Sequence, residues 1–182
     1  MRTRVVVTGL GCISPLALDW PETWQALIAG KSGIGPITAF DASNFKTRIA
    51  AEVKGFDPAA LFGAREARRM DRCTQFALAA ALEAFRHSGL QGSESNRDRI
   101  GSVIGTGIGG MHTMVENYHV LLERGPDRVS PFMVPMMLAD TAPGMVAIQL
   151  GIRGPNMAIV TACATGSNAI GEAAEMIRRG AA

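Results

Sequence analysis

Asn156-Met157-Ala158-Ile159-Val160-Thr161-Ala162-Cys163-Ala164-Thr165-Gly166 is the stretch that decides how this chain folds. Asn156–Val160 reads as a strand, and the residues from Gly166 to Arg179 and Gly180 read as a helix, so Thr161–Gly166 is a sharp strand-to-helix turn. A helix N-terminus offers free N–H groups and the positive end of a dipole. That setting suits a thiol nucleophile and can hold an oxyanion as a tetrahedral intermediate forms. Ala162, Ala164 and Gly166 are small and leave room for a substrate. A buried, inert cysteine fits the same pattern, so the residues alone leave Cys163 open between the two.

Outward from this turn, the same pattern recurs upstream. Arg99–Ile104 reads as a strand that empties into Gly105-Thr106-Gly107-Ile108-Gly109-Gly110, followed by a helix from Met111 to about Arg124 and a stop at Gly125-Pro126. Gly105, Gly107 and Gly110 fit the G-x-G-x-x-G of dinucleotide sites. Such a site also needs a second strand after the helix, ending in an acidic residue. Gly125-Pro126-Asp127-Arg128-Val129-Ser130-Pro131 supplies none, which favours a tight turn lining a cavity, with Ile108 as its only sizeable side chain. Ser130–Pro135 reads as irregular, and a helix reaches Leu150 despite Pro143-Gly144.

Towards the N-terminus, Arg4–Thr8 reads as a buried strand closed by Gly9 and Gly11. A helix follows, capped by Asp19 with Glu22 three residues on and stopped by Gly30. Ile49–Val53 is a weaker strand. A long helix then runs from near Arg65 to Ser88, apolar nearly all round in its second half. Gln91–Asp98 is loop. Alternating strands and helices predict an α/β fold with a parallel or mostly parallel sheet, and residues 1–182 read as one domain without repeats or linkers. The chain stops after a helix where another strand is expected, as a truncated domain would.

The remaining chemistry is sparse. Cys12, Cys73 and Cys163 are odd in number and lack metal spacing, which argues against a disulfide framework. Cys73 reads as packing in the middle of an apolar helix, and Cys12 as packing in a loop. His87, His112 and His119 read as surface positions on helices, without carboxylate or metal spacing. Arg65, Arg68, Arg69 and Arg72 fall at i, i+3, i+4 and i+7 and share one face of a helix, either a solvated face or a docking patch for an acidic partner. A net charge of +2 is too small to point to nucleic acid as a main partner. No apolar run spans a bilayer, and Met1–Gly9 is too short for a signal segment, so a cytoplasmic protein is expected.

Thr161-Ala162-Cys163-Ala164-Thr165-Gly166 resembles the active-site turn of the β-ketoacyl-acyl carrier protein synthases. Further segments match the family in order: Val5–Gly11, Lys31–Ile34, Gly105–Gly110, Ser130–Phe132 and Gly151–Pro155. The resemblance implies a thiolase-like fold of layered αβαβα type, of which this chain supplies most of the N-terminal half. Ile108 and Phe132-Met133-Val134-Pro135 resemble the elongating type II enzymes of fatty acid synthesis. There Cys163 would be the nucleophile, and Ile108 the gate of an acyl pocket shared with Val134 and Ala162. The residue matching Met133 would reach that pocket from the other subunit of a homodimer. Arg65, Arg68, Arg69 and Arg128 fall where the family holds its acidic acyl carrier protein, with Asp127 replacing a basic residue.

On this resemblance, Cys163 accepts the acyl chain from acyl carrier protein, and decarboxylative condensation with malonyl-carrier protein extends it by two carbons. No metal or bound redox cofactor is implied, since phosphopantetheine arrives on the carrier. The family's two catalytic histidines, its lysine and its glycine-rich phenylalanine loop belong to a C-terminal half. The 182 residues alone are therefore expected to be inactive in condensation and poorly soluble. Alternatives are a polyketide ketosynthase, a non-catalytic tunnel-shaping partner subunit, a thiolase or coenzyme A-dependent initiating synthase, and a nucleotide-binding module.

Overall fold

The computed structural model describes residues 3–182, which divide into two compact units. One comprises Thr8–Asp57 with Ala79–Gly89. Its first helix, α1 (Trp20–Ile28), starts as the sequence predicts: Asp19 Oδ1 accepts from the Glu22 N–H at 2.8 Å. Gly30, at φ +67°, follows its end. The segment before α1 lies along Ala79–Ser88, where Glu83 accepts from the Cys12 and Trp20 N–H groups at 2.8 and 3.0 Å. A Cβ on Gly11 would lie 1.9 Å from the Ala80 carbonyl oxygen, and one on Gly9 2.2 Å from that of Ala84. These glycines let backbone meet helix, rather than closing a strand.

The strand expected over Arg4–Thr8 is in no ladder, and Val7 is 76% exposed. A strand exists only through a partner, and β-branched residues cannot supply one locally. Ile49–Val53 is confirmed in its first part as β2 (Ile49–Ala51). It pairs antiparallel with β1 (Ile34–Pro36), which Gly35 and Pro36 disguise in the sequence. A proline is tolerated in such an edge strand.

The second unit comprises Pro58–Leu78 and Leu90–Ala182 with Thr3–Val7. The long helix expected from Arg65 to Ser88 is broken here. Instead there are α2 (Pro58–Phe62), α3 (Ala64–Ala67) and α4 (Arg72–Ser88). Side chains make the break by competing for backbone groups. Gln75 Nε2 donates to the Ala67 and Met70 carbonyls, and Asp71 Oδ1 accepts from the Cys73 N–H at 3.0 Å. The four arginines therefore do not share one helical face: Arg65 lies on α3, Arg68 and Arg69 follow it, and Arg72 opens α4. Cys73 is at the start of α4, not its middle. The second half of α4 is mostly half-buried, short of the full burial its apolar sequence suggests.

Two strands, β3 (Ser102–Gly105) and β4 (Asn156–Ile159), pair in parallel with Gly105 opposite Ile159. Between them run α5 (Met111–Arg124), ended by Gly125 at φ +82°, then α6 (Met133–Met137) and α7 (Thr141–Leu150), ended by Gly151 at φ +64°. Pro143 sits in the first turn of α7, where its missing N–H costs nothing. Helix α8 (Thr165–Arg178) follows β4, and both α7 and α8 pack on the strand pair. Val103 borders a cavity with Ala173, Met176 and Ile177 of α8, while Asn156 Nδ2 donates to the Pro143 carbonyl of α7. The core holds Leu78, Val146, Ile152, Ala169 and Met176. The architecture is α/β, with a parallel strand pair between helices as the sequence predicts.

Candidate active site

Because β3 and β4 run in parallel and in register, the turns that follow them leave the sheet at the same end. Ligand sites of α/β sheets form at such carboxyl ends. The two turns are tied directly, the Thr106 N–H donating to the Ile159 carbonyl at 3.1 Å. Gly105 has no room for a side chain, since a Cβ would lie 2.1 Å from the Thr165 methyl. The glycine-rich turn is thus a packing surface for the cysteine turn. The element after α5 is no strand but a single 3-10 turn, Pro126–Arg128, with two helices before β4, so the strand context of a dinucleotide site is missing.

Cys163 lies in the 3-10 turn Ala162–Ala164 that leads into α8, and it is exposed. Ala162 before it has φ +49°, the only positive φ outside glycine among the described residues. Such a backbone costs about 1–3 kcal/mol and persists only where neighbours over-determine it. Helix α8 (N-cap Ala164) has no side-chain cap; the 3-10 turn before it takes the Ala164 and Thr165 N–H groups onto the Thr161 and Ala162 carbonyls. Being exposed, Cys163 is not the buried cysteine that packing alone would give.

The residues expected around an acyl pocket come from neighbouring elements. Ile108 stands at the tip of the glycine turn and is 68% exposed. Helix α6, which carries Met133 and Val134, is bound to that turn through the Gly110 N–H and the Met137 carbonyl at 2.9 Å. Cβ atoms on Gly109 and Gly110 would lie 2.5 and 2.4 Å from the Met137 and Met136 carbonyls. The glycine turn and α6 are thereby held together. Met133 is half-buried, whereas Val134 and Ala162 are exposed. A cavity of ≈ 490 Å³ lies instead over Arg68, Asp71, Arg72, Gln75, His112 and Glu116, and it does not reach Cys163.

Asp71 in that cavity is a residue the sequence reading passed over. It is 4% exposed, and its Oδ2 accepts from the Thr113 N–H and hydroxyl at 2.8 and 2.7 Å. Burial pushes its carboxyl pKa up, but the hydrogen bonds from Cys73 and Thr113 outweigh burial and hold it below the usual 3.8. Burial pushes the Cys73 thiol up, and the Asp71 charge adds to it, to about 11. His112 Nε2 lies 3.1 Å from Glu116 Oε1, an i, i+4 carboxylate neighbour that corrects the expectation of none. His87 Nδ1 accepts from the Leu10 N–H at 2.9 Å and its ring stacks on Trp20.

Of the expected docking arginines, Arg65 is exposed near Glu66, and Arg69 reaches Glu66 at 3.8 Å and lies over the Phe132 ring at 5.1 Å. Arg68 borders the ≈ 490 Å³ cavity. Arg128 borders another of ≈ 480 Å³, and Glu116 of α5 lines both. Among the described residues, no group of three or more His, Cys, Asp or Glu is placed to hold a metal ion.

Residues 2–182 match the family model described as the N-terminal domain of β-ketoacyl synthase. The chain is 51% identical over 176 residues to 3-oxoacyl-[acyl-carrier-protein] synthase 2 of Coxiella burnetii, covering 97% of this chain and 42% of that protein. It is 49% identical to the synthase of the same name from Synechocystis sp., covering 98% of this chain and 43% of the relative. The chain thus spans well under half the length of these curated relatives. Among solved structures, the ishigamide ketosynthase/chain length factor superposes with TM-score 0.85 at 31% identity, covering 99% of this chain and 45% of that one. A β-ketoacyl synthase from Burkholderia phymatum superposes with TM-score 0.77 at 30% identity, covering 99% and 44%. The fold, but no more, is shared at 24% identity and TM-score 0.82 with a type II polyketide ketosynthase solved with its acyl-carrier protein, over 100% of this chain and 49% of that one. With the cysteine turn, the glycine turn and the strand pair that joins them, this chain belongs to the β-ketoacyl synthase family and corresponds to its N-terminal domain.

Proposed function

We propose that this chain supplies the nucleophilic half of a β-ketoacyl-acyl carrier protein synthase of fatty acid elongation. The observation that carries the reading is the exposed Cys163 thiol on the Ala162 elbow, at the uncapped start of α8. The thiolate attacks the thioester carbonyl of acyl-carrier protein, forms a new C–S bond and expels the phosphopantetheine thiolate, which takes up a proton. Malonyl-carrier protein then loses carbon dioxide. The resulting enolate carbon attacks the Cys163 thioester, and the cysteine sulfur leaves, so the extended chain departs on the carrier. The positive end of the α8 dipole, with no side-chain cap on it, favours the negative charge formed in each attack. Neither step passes electrons to an acceptor, so the reading requires no bound redox cofactor and no metal.

Condensation needs groups beyond these residues, and the chain by itself is expected only to accept an electrophile on Cys163. Ile108, Met133, Val134 and Ala162 form the acyl-facing rim of this reading. Arg65, Arg68, Arg69 and Arg128 meet the acidic carrier protein, Arg68 and Arg128 from either side of Glu116. A homodimer of the full-length enzyme is supported by α5, which exposes Met111, Met114, Val115, Tyr118 and Leu122 at helical spacing. No helix among the described residues is long and apolar enough to cross a membrane, and a cytoplasmic location follows as part of the proposal. A polyketide ketosynthase is the second reading, favoured by the ishigamide structure but set back by the higher identity to the 3-oxoacyl synthases.

Intact-mass analysis after exposure to cerulenin, a covalent inhibitor of this family, tests the proposal on wild type and Cys163→Ala. A single adduct lost in the variant supports it. An adduct that survives in Cys163→Ala removes Cys163 as the nucleophile.

A further inference from the structure

Thr161 is held through each of its polar groups by the start of α8. Its N–H donates to Thr165 Oγ1 at 2.9 Å, its carbonyl accepts from the Ala164 N–H at 3.1 Å, and its hydroxyl accepts from Asn168 Nδ2 at 2.9 Å. The residue after it is Ala162, whose φ of +49° an alanine does not adopt without constraint. The residue after that is Cys163. Thr165 is itself fixed, being 6% exposed with its methyl filling the space that Gly105 leaves. Its hydroxyl is therefore a rigid acceptor, set one helical turn below the strained elbow. Asn168, exposed on the next turn, adds a second tie that reaches back to the same residue.

We propose that Thr165 and Asn168 are positioning residues that hold the Ala162 elbow in its left-handed form and so set how fast the Cys163 thiol meets an electrophile. The inference rests on the reading of Cys163 as nucleophile. Neither residue touches reacting atoms. With the ties cut, Ala162 relaxes toward the right-handed backbone that Ala164 and Thr165 already have, and the thiol swings away from the start of α8. A displacement of about 1 Å at a reacting group can cost roughly a hundredfold in rate.

The test is the rate of iodoacetamide alkylation, read cysteine by cysteine by peptide mass, on the 182-residue chain. The proteins are wild type, Thr165→Val, Thr165→Ser and Asn168→Ala, with amide exchange at Thr161 followed in parallel. Thr165→Val keeps the shape and the methyl but loses the acceptor. It should slow Cys163 by about tenfold and speed Thr161 exchange, while Thr165→Ser restores both and Asn168→Ala slows Cys163 about threefold. Unchanged Cys12 labelling and a silent Cys73 report an intact fold in each variant. Faster Thr161 exchange with an unchanged Cys163 rate overturns the inference, because the tie is cut and the thiol is indifferent. A Cys163 rate that falls equally in Thr165→Val and Thr165→Ser overturns it too, in favour of packing. Wild-type Cys163 no faster than Cys12 sinks the nucleophile reading itself, and this inference with it. A fast wild type with unaffected variants sinks the inference alone.

Discussion

Cys73 and Cys163 both stand at the start of a helix, yet their surroundings differ in burial and in charge. Cys73 is the second residue of α4, half-buried, with its N–H bound to Asp71 and its thiol beside that carboxylate. Cys163 is exposed, two residues before α8, on a helix start with no side-chain cap. A helix N-terminus is thus only an opportunity. At α4 an internal carboxylate has taken the place an anion would occupy, and its charge works against a second one. At α8 no carboxylate stands at the helix start, and the hydroxyl and amide ties of Thr165 and Asn168 reach back to Thr161.

The largest expected effect compares the two thiols directly. With the Cys73 thiol pushed up to about 11, roughly one molecule in ten thousand carries its thiolate at pH 7. Iodoacetamide should therefore modify Cys163 at least about a hundredfold faster than Cys73, read by peptide mass. Equal rates would break the comparison at its root.

Next in size is the removal of the carboxylate. Asp71→Ala takes the partner from three hydrogen bonds on a buried group, and the expected cost is about 3 kcal/mol in a urea unfolding midpoint. Asp71→Asn keeps an acceptor oxygen and should cost less, while removing the charge that raises the Cys73 thiol. Faster Cys73 labelling in Asp71→Asn, under conditions where the fold is intact, sharpens the comparison. Unchanged labelling leaves burial as the sole cause.

The same carboxylate makes a pH prediction. Its folded pKa lies below 3.8, so the folded state releases this proton more readily than the unfolded chain. The stabilisation is fully present above the unfolded value and is lost as pH falls through the folded one. Acid unfolding of wild type should therefore steepen below about pH 4, and the Asp71→Asn curve should lack that component. Parallel curves would assign the acid sensitivity elsewhere.

How much of this was legible in the sequence follows from how local each signal is. Helix α1 carries its own cap in Asp19, α5 and α8 carry their own stops in Gly125 and Gly180, and their limits match the reading to within a residue or two. The cysteine turn was legible for the same reason. The break before α4 was not, because Gln75 and Asp71 make it through side-chain bonds to nearby backbone groups, which hydrophobic periodicity does not show. That break also moved Cys73 from a helix middle to a helix start and dispersed the arginine face. Strand β1 hid behind Gly35 and Pro36, and Arg4–Thr8 looked like a strand although pairing is not a property of its own residues. The Thr161 ties were within reach, since Thr165 and Asn168 lie four and seven residues on, but a hydroxyl in a helix start has too many bland uses to point at one. His112–Glu116 is the plain miss, a helical i, i+4 pair visible in the sequence.

The smallest expected effect isolates the cap from its charge on the neighbouring thiol. Asp19 caps α1 by the same kind of bond that Asp71 makes to Cys73, a carboxylate oxygen on a backbone N–H, but α1 contains no cysteine. Asp19→Ala should cost about 1 kcal/mol in the unfolding midpoint. Labelling of both Cys73 and Cys163 should stay at wild-type rates below the transition. If Asp19→Ala instead speeds Cys73, the protection of that thiol comes from stability of the chain as a whole. The contrast between the two helix starts would then be one of global opening, not of the carboxylate beside one and its absence beside the other.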